Sequence, residues 1–226
     1  MVHSSLSSIG WVDGGGATVI QSLQDLIGQS GTLVMPSHSW GEVNAGMRTF
    51  SLKDTASCVG AIPELFRQSS GVVRSIHPTH SVAARGDLAK WIVRDHESAG
   101  SPCGFNTPYA KLMEVEATVL LLGVGLERNT LFHTLETMCN VDYCLEEMAA
   151  NFTVDSGGDS VSKKLSFRLH QQGISRNYPS FEAFLRDRDV LSVGRVGHAR
   201  VLSFNAGRFR DVLLPALSRE PTLFLG

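Results

Sequence analysis

The run Ala117-Thr-Val-Leu-Leu-Leu-Gly123 limits the possible folds more than any other stretch of the 226-residue chain. Its strand-forming residues follow one another without polar alternation, so both faces of an extended segment here must be covered. A strand covered on both faces belongs to a layered α/β domain with helices packed over the sheet. After Gly123 the spacing changes, and Thr130–Cys139 carries the apolar repeat of a helix.

The rest of the chain supplies the other layers. Val19, Ile20, Leu23, Leu26 and Ile27 draw one helical stripe over residues 18–27, and Gly28 is a stop. Thr32-Leu-Val-Met35, closed by Pro36, reads as a short buried strand. A strand opening at Val2, this helix and the 32–35 strand predict a parallel pair with a right-handed crossover. Helices are also predicted over 60–67, 88–96, 109–114, 181–186 and 206–217. Extended segments are predicted over 72–74 and 81–85, and a strand pair within 193–201. Ser4–Gly16 is rich in Ser and Gly and reads as a loop. Residues 151–172 alternate polar and apolar around a loop at 155–160, the pattern of an antiparallel hairpin. The expected class is α/β: a central mixed sheet with a parallel β-α-β start, flanking helices and an added antiparallel C-terminal part. One domain over residues 1–226 is expected.

A formal net charge of −2 gives no electrostatic case for nucleic acid or an anionic membrane as partner. No stretch approaches the roughly 20 apolar residues of a membrane span. The N-terminus lacks the basic and long apolar regions of a signal peptide, so a cytoplasmic location is expected. Cys58, Cys103, Cys139 and Cys144 form no C-x-x-C pair, which argues for reduced thiols and against a zinc ribbon.

Three segments carry residues suited to chemistry. His3–Gly16 is a Ser/Gly stretch between a strand start and a helix, where backbone N–H groups can hold a phosphate, although it matches no standard nucleotide motif. In Arg74-Ser-Ile-His-Pro-Thr-His-Ser81, Pro78 fixes a turn that aims His77 and His80, with Arg74 beside them. In Asn129-Thr-Leu-Phe-His-Thr-Leu-Glu136, directly after the apolar strand, His133 and Glu136 share a helix face. A carboxylate at that spacing can orient the imidazole, which then has the arrangement of a general base.

Taken in order, these and neighbouring segments resemble the antibiotic N-acetyltransferase family, best known for the aminoglycoside 3-N-acetyltransferases. The matching stretches are Val2–Gly10 with Asp13-Gly-Gly, Gly31–Pro36, Arg74–Gly86, Ser101-Pro102 with Thr107-Pro108-Tyr109, Leu120–Gly123, Asn129–Glu136, Gly173–Arg176 and Gly194–Gly197. The resemblance implies an acetyl-coenzyme A co-substrate, a small-molecule amine acceptor and no metal. It implies His133 as the residue that deprotonates the amine and Glu136 as an orienting or substrate-binding partner. It also implies a coenzyme A channel lined by the backbone of Ser4, Ser5 and Leu6 and by Thr79, His80, Ser81 and Val82, with Arg74 beside them as a side chain that could meet a phosphate. Two departures accompany it. The segment that relatives carry ahead of Val2 is expected to be missing. Phe50-Ser51-Leu52 also stands where Phe-Asp-Pro is expected, leaving Asp54 as the nearby carboxylate.

Polycationic acceptors need carboxylates. Asp142, Glu146, Glu147, Asp155 and Asp159 fall in a stretch without Lys or Arg up to Ser162; Asp142 and Glu146 are the candidate acceptor contacts, against a plain solvated surface as the alternative. Three rival readings remain at this level. One is a metal-dependent hydrolase using His77, His80, His133 and Glu136. Another is a coenzyme A-binding protein with a decayed site. The third is a thiol enzyme built on Cys139 or Cys144.

Overall fold

The computed structural model describes residues 1–157 and 162–226. The chain runs β1 (Val2–Ser4), α1 (Leu6–Ile9), α2 (Gly15–Ile27), β2 (Thr32–Pro36), α3 (Trp40–Asn44), β3 (Thr49–Ser51) and α4 (Ala61–Gln68). It continues through β4 (Val73–Arg74), β5 (Val82–Gly86), α5 (Ala89–Val93), α6 (Pro108–Glu114), β6 (Thr118–Leu122) and α7 (Leu131–Met138). It closes with β7 (Ala150–Asp155), β8 (Lys163–Phe167), α8 (Phe181–Arg186), β9 (Leu191–Val196), β10 (Ala199–Asn205) and α9 (Ala206–Arg219).

The apolar run becomes β6, an inner strand of the sheet β1-β6-β10-β9. Val119 and Leu121 are fully buried, as a strand covered on both faces requires. β1 pairs with β6 in parallel, from Val2 opposite Leu120 to Ser4 opposite Leu122, and β10 pairs with its other edge antiparallel. The mixed α/β class therefore holds, but the parallel partner of β1 is β6 and not β2. β2 lies in a second sheet, antiparallel to β5, which also pairs with β4. A strand-helix-strand succession does not name the hydrogen-bonding partner; β6 needs neighbours on both edges, and β1 takes one of them.

The hairpin expected over 151–172 is β7 with β8, and β7 also takes β3 in parallel to make a third sheet. Asp159 lies outside the described residues. Three elements sit where the sequence predicts no regular structure: α1 inside the Ser/Gly stretch, α3 after the turn beyond Pro36, and the short strand β3. α5 is shorter than the predicted 88–96 helix because Lys111 intercepts its end. The Lys111 ammonium donates to the carbonyls of Trp91 (2.9 Å) and Arg94 (2.7 Å), supplying partners for groups left without helical ones.

Ile20 of α2 and Ile62 and Phe66 of α4 pack with Leu33 and Met35 of β2 on one side of the core. Leu112 of α6, Phe132 and Leu135 of α7, and Leu213 and Leu217 of α9 pack with Val119 and Leu121 of β6 on the other. β1 and β6 run parallel, so their carboxyl ends lie together, the place where open α/β sheets bind ligands. Gly123 turns the chain at that point. Its φ of +71° suits glycine, and a Cβ there would come within 2.5 Å of the Ser8 side chain. Among the described residues no helix is long and apolar enough to cross a membrane.

Candidate active site

A cavity of about 770 Å³ opens at the carboxyl ends of β1 and β6. Its walls include His3, Ser4, Ser5 and Leu6 from the β1–α1 corner, and His38 and His80 from the second sheet's loops. Asn129, Thr130 and His133 come from the start of α7. α7 turns Leu131, Phe132 and Leu135 into the core at zero exposure and leaves the His133 side chain 24% exposed toward the cavity.

The hydrogen bonds of His133 settle which of its nitrogens can act. Nδ1 lies 2.8 Å from Glu136 Oε2, and a carboxylate only accepts, so Nδ1 carries the proton. The lone pair is therefore on Nε2. Glu136 is fully buried, and its charge is met by Arg176, whose Nε donates at 2.9 Å to Oε1 and 3.2 Å to Oε2. The Tyr178 hydroxyl donates to Glu136 Oε1 at 2.9 Å and lies 3.1 Å from His133 Nδ1, where its oxygen can share the Nδ1 proton. Burial alone would raise the Glu136 carboxyl; the His133 hydrogen bond and the Arg176 guanidinium outweigh it and hold the group below its ordinary range. Tyr178 is fixed by its ring, which stacks on Phe132 at 4.2 Å within a cluster that includes Phe181 and Phe224. The arrangement is an imidazole with one nitrogen anchored and the other free, able in its neutral form to take a proton from a bound nucleophile. Tyr178→Phe removes one charge-assisted hydrogen bond from this anchor. It is expected to lower kcat by about tenfold with KM little changed, checked by steady-state kinetics.

The His-Pro turn is braced from within. The backbone N–H groups of Thr79 and His80 donate to His77 Nδ1 at 3.2 and 3.1 Å, which buries His77 as a structural residue. The Tyr109 hydroxyl donates to the His80 carbonyl at 2.9 Å, so at its 2.6 Å contact with His38 it accepts, and His38 carries its proton on Nε2. The His80 ring packs 4.7 Å from that of His38, 4.8 Å from His170 and 6.4 Å from His133. Burial, then the neighbouring imidazoles, hold His38, His80 and His170 well below the ordinary histidine range, so all three are neutral.

A family model described as aminoglycoside 3-N-acetyltransferase matches residues 1–217. The chain belongs to this family. It is 37% identical over 225 residues to the SPbeta prophage-derived aminoglycoside N(3')-acetyltransferase-like protein YokD of Bacillus subtilis (strain 168), covering 91% of this chain and 80% of that protein. It is 29% identical over 228 residues to aminoglycoside N(3)-acetyltransferase IV of Salmonella sp, covering 100% of this chain and 82% of that one. The crystal structure of aminoglycoside acetyltransferase AAC(3)-IVa, as apoenzyme, superposes with a TM-score of 0.82 at 28% identity, over 100% of this chain and 83% of that one. The protein is thus an N-acetyltransferase of the aminoglycoside 3-N-acetyltransferase type, as the resemblance of its motifs implied.

The acetyltransferase fold distributes the candidate residues unevenly. His133, Ser4, Ser5, Leu6 and His80 all line the cavity, and Glu136 stands directly behind His133. Thr79, Ser81 and Val82 are buried in the turn and in β5. Arg74 reaches inward to brace the loops, donating to the carbonyls of Thr55 (2.6 Å) and Ser37 (2.7 Å), and is not among the residues lining this cavity. Asp142 and Glu146 are exposed and lie outside its lining too. Glu42, Asp54 and Asp155 instead line a second cavity of about 480 Å³, where Ser51 Oγ donates to Asp54 at 2.9 Å. An acid beside the Phe50-Ser51-Leu52 departure is therefore supplied by Asp54. Arg176 and Tyr178 escaped sequence reasoning. Arg176 was visible as part of Gly173–Arg176, yet nothing local tied either residue to a carboxylate some forty positions earlier.

Among the described residues the candidates for the rival chemistries are engaged elsewhere. The quartet His77, His80, His133 and Glu136 does not converge as metal ligands, since His77 Nδ1 and both Glu136 oxygens are already engaged. A different trio, His80, Cys103 and His170, offers ligand atoms within 4.8 Å of one another. The ligands of one tetrahedral zinc ion sit closer, about 3.4 Å apart, and burial holds the Cys103 thiol well above its ordinary range, protonated as a core residue. Burial likewise pushes Cys144 up to about 12, far from an activated thiolate, and the group facing Cys139 Sγ is the Ser218 hydroxyl (3.3 Å), which is no base.

Proposed function

We propose that the protein transfers the acetyl group of acetyl-coenzyme A to an amino group of an aminoglycoside or a related polyamine, with His133 as general base and Glu136 as its orienting partner. The observation that carries the reading is the fixed tautomer of His133, which presents a free Nε2 to the cavity lined by Ser4, Ser5 and Leu6. Nε2 takes the proton as the amine nitrogen attacks the thioester carbonyl, and returns it to the departing thiolate. The buried Glu136–Arg176–Tyr178 set stabilises the transient imidazolium without solvent reorganisation.

The donor is supported by AAC-IIIb, which shares the fold at 21% identity and a TM-score of 0.81 and is described as a binary complex with CoASH. The acceptor class is supported by AAC(3)-IVa, 28% identical with a TM-score of 0.83, solved as a mutant in complex with a gentamicin. Either the acidic second cavity or the exposed Asp142 and Glu146 would meet the outlying ammonium groups of such an acceptor. Residues 1–226 act on this reading as one domain, in the cytoplasm, on small molecules alone and with no metal in the chemical step. The test is thiol release from acetyl-coenzyme A across a panel of aminoglycosides and simple amines. Amine-dependent release supports the proposal; coenzyme A binding with no release under any amine points to a binding protein and overturns it.

A further inference from the structure

The Asn129 side chain is 1% exposed and lines the cavity, and its two ends have different fates. Oδ1 accepts from the Leu131 backbone N–H at 3.2 Å, at the start of α7. Nδ2 has no partner. A buried amide N–H group left this way is costly, and native structures keep such groups where something binds them. The Oδ1 contact also fixes which way the amide points, since only an oxygen can accept from Leu131. His3 Nε2 and Ser4 Oγ are the other buried, unpartnered atoms on this cavity among the described residues, but they belong to β1 and not to the segment bearing His133. The Phe132 N–H donates to the Asn129 carbonyl at 3.3 Å, so the first turn of α7 begins at Asn129 and sets His133 one turn further on.

We propose that the Asn129 amide is the oxyanion donor of the reaction; the inference rests on the acetyl-transfer reading above. The amine lone pair attacks the thioester carbon and forms the C–N bond, while the amine proton passes to His133 Nε2. The C=O π pair moves onto oxygen, and Nδ2–H donates to that oxyanion. Collapse restores C=O and breaks C–S, and the leaving thiolate takes the proton back from His133. The products are the acetamide and coenzyme A. Asn129 thus binds the oxygen on which charge develops, from the same helix start that positions the base.

Asn129→Asp is the decisive variant. It keeps an oxygen for the Leu131 N–H, and the helix N-terminus offsets part of the cost of burying its charge; thermal denaturation checks that the fold is retained. It removes the donor. At the pH plateau kcat is expected to fall about 10²- to 10³-fold, with coenzyme A affinity by titration calorimetry close to that of the unsubstituted protein. Asn129→Ala should lose as much kcat and, unlike the Asp variant, some thermal stability as well. Near-normal kcat in Asn129→Asp would reduce Asn129 to a helix cap and overturn the proposal. So would unchanged kcat with weakened coenzyme A binding, which would place the amide on the pantetheine arm. Both of those results require an active unsubstituted enzyme; absence of amine-dependent thiol release from that enzyme would instead sink the acetyl-transfer reading itself.

Discussion

His133→Ala is expected to lower kcat about 10²- to 10⁴-fold, the range associated with loss of a positioned general base, while coenzyme A binding persists. The His133 side chain is 24% exposed at the cavity wall and bonds the buried Glu136, so thermal stability measured beside the kinetics distinguishes lost chemistry from a loosened anchor. Glu136 is a poorer choice for the same question. Its removal would strand the Arg176 guanidinium at a cost of about 3–5 kcal/mol in stability, so lost activity and lost fold would be confounded. Rapid-quench measurement of the acetyl-transfer step in His133→Ala, beside a calorimetric titration with coenzyme A, separates the two contributions. A variant that transfers acetyl at the unsubstituted rate would remove His133 from the mechanism.

Acid is expected to unfold the protein steeply, beginning well above the range in which carboxylates titrate. His3, His38, His77, His96 and His170 are buried and neutral; burial holds His3 near 3, His96 near 4 and the others well below their ordinary value. Once unfolded, each would titrate near 6.5. Below that pH the unfolded chain binds more protons than the native one, so stability is complete above 6.5 and is lost as pH falls toward the native values. One unit below 6.5, at pH 5.5, each group has forfeited about 1.4 kcal/mol, and five together about 7 kcal/mol. That is comparable with the whole stability of an ordinary domain, about 5–15 kcal/mol. Urea midpoints at pH 7.5 and pH 5.5, with the slope unchanged, measure the difference. Equal midpoints would mean that these imidazoles protonate freely inside the native protein.

How much of this was legible from sequence follows from the range of each interaction. β6 was readable because a strand covered on both faces writes an unbroken apolar run. α7 and its His133–Glu136 pair were readable because helical spacing brings residues three apart together. The partner of β1 was not, since a local pattern carries no information about which distant edge a strand joins. Nor were Arg176 and Tyr178, whose contacts with Glu136 are made only by the tertiary fold. The histidine cluster illustrates the same limit: His38, His80, His133 and His170 are scattered in sequence, and their rings meet only because the tertiary fold brings three loops against α7. Asn129 stood in plain view inside the motif, but the freedom of its Nδ2 is a property of what surrounds it.

The most direct test of the account is to incubate acetyl-coenzyme A with an aminoglycoside and the enzyme, and to quantify both products, the acetylated amine by mass spectrometry and the free thiol by colour. The account predicts the two in equal amounts with the unsubstituted protein and a collapse of both in His133→Ala. Thiol appearing without acetylated amine would show hydrolysis in place of transfer, and equal product from His133→Ala would contradict the central role given to that imidazole.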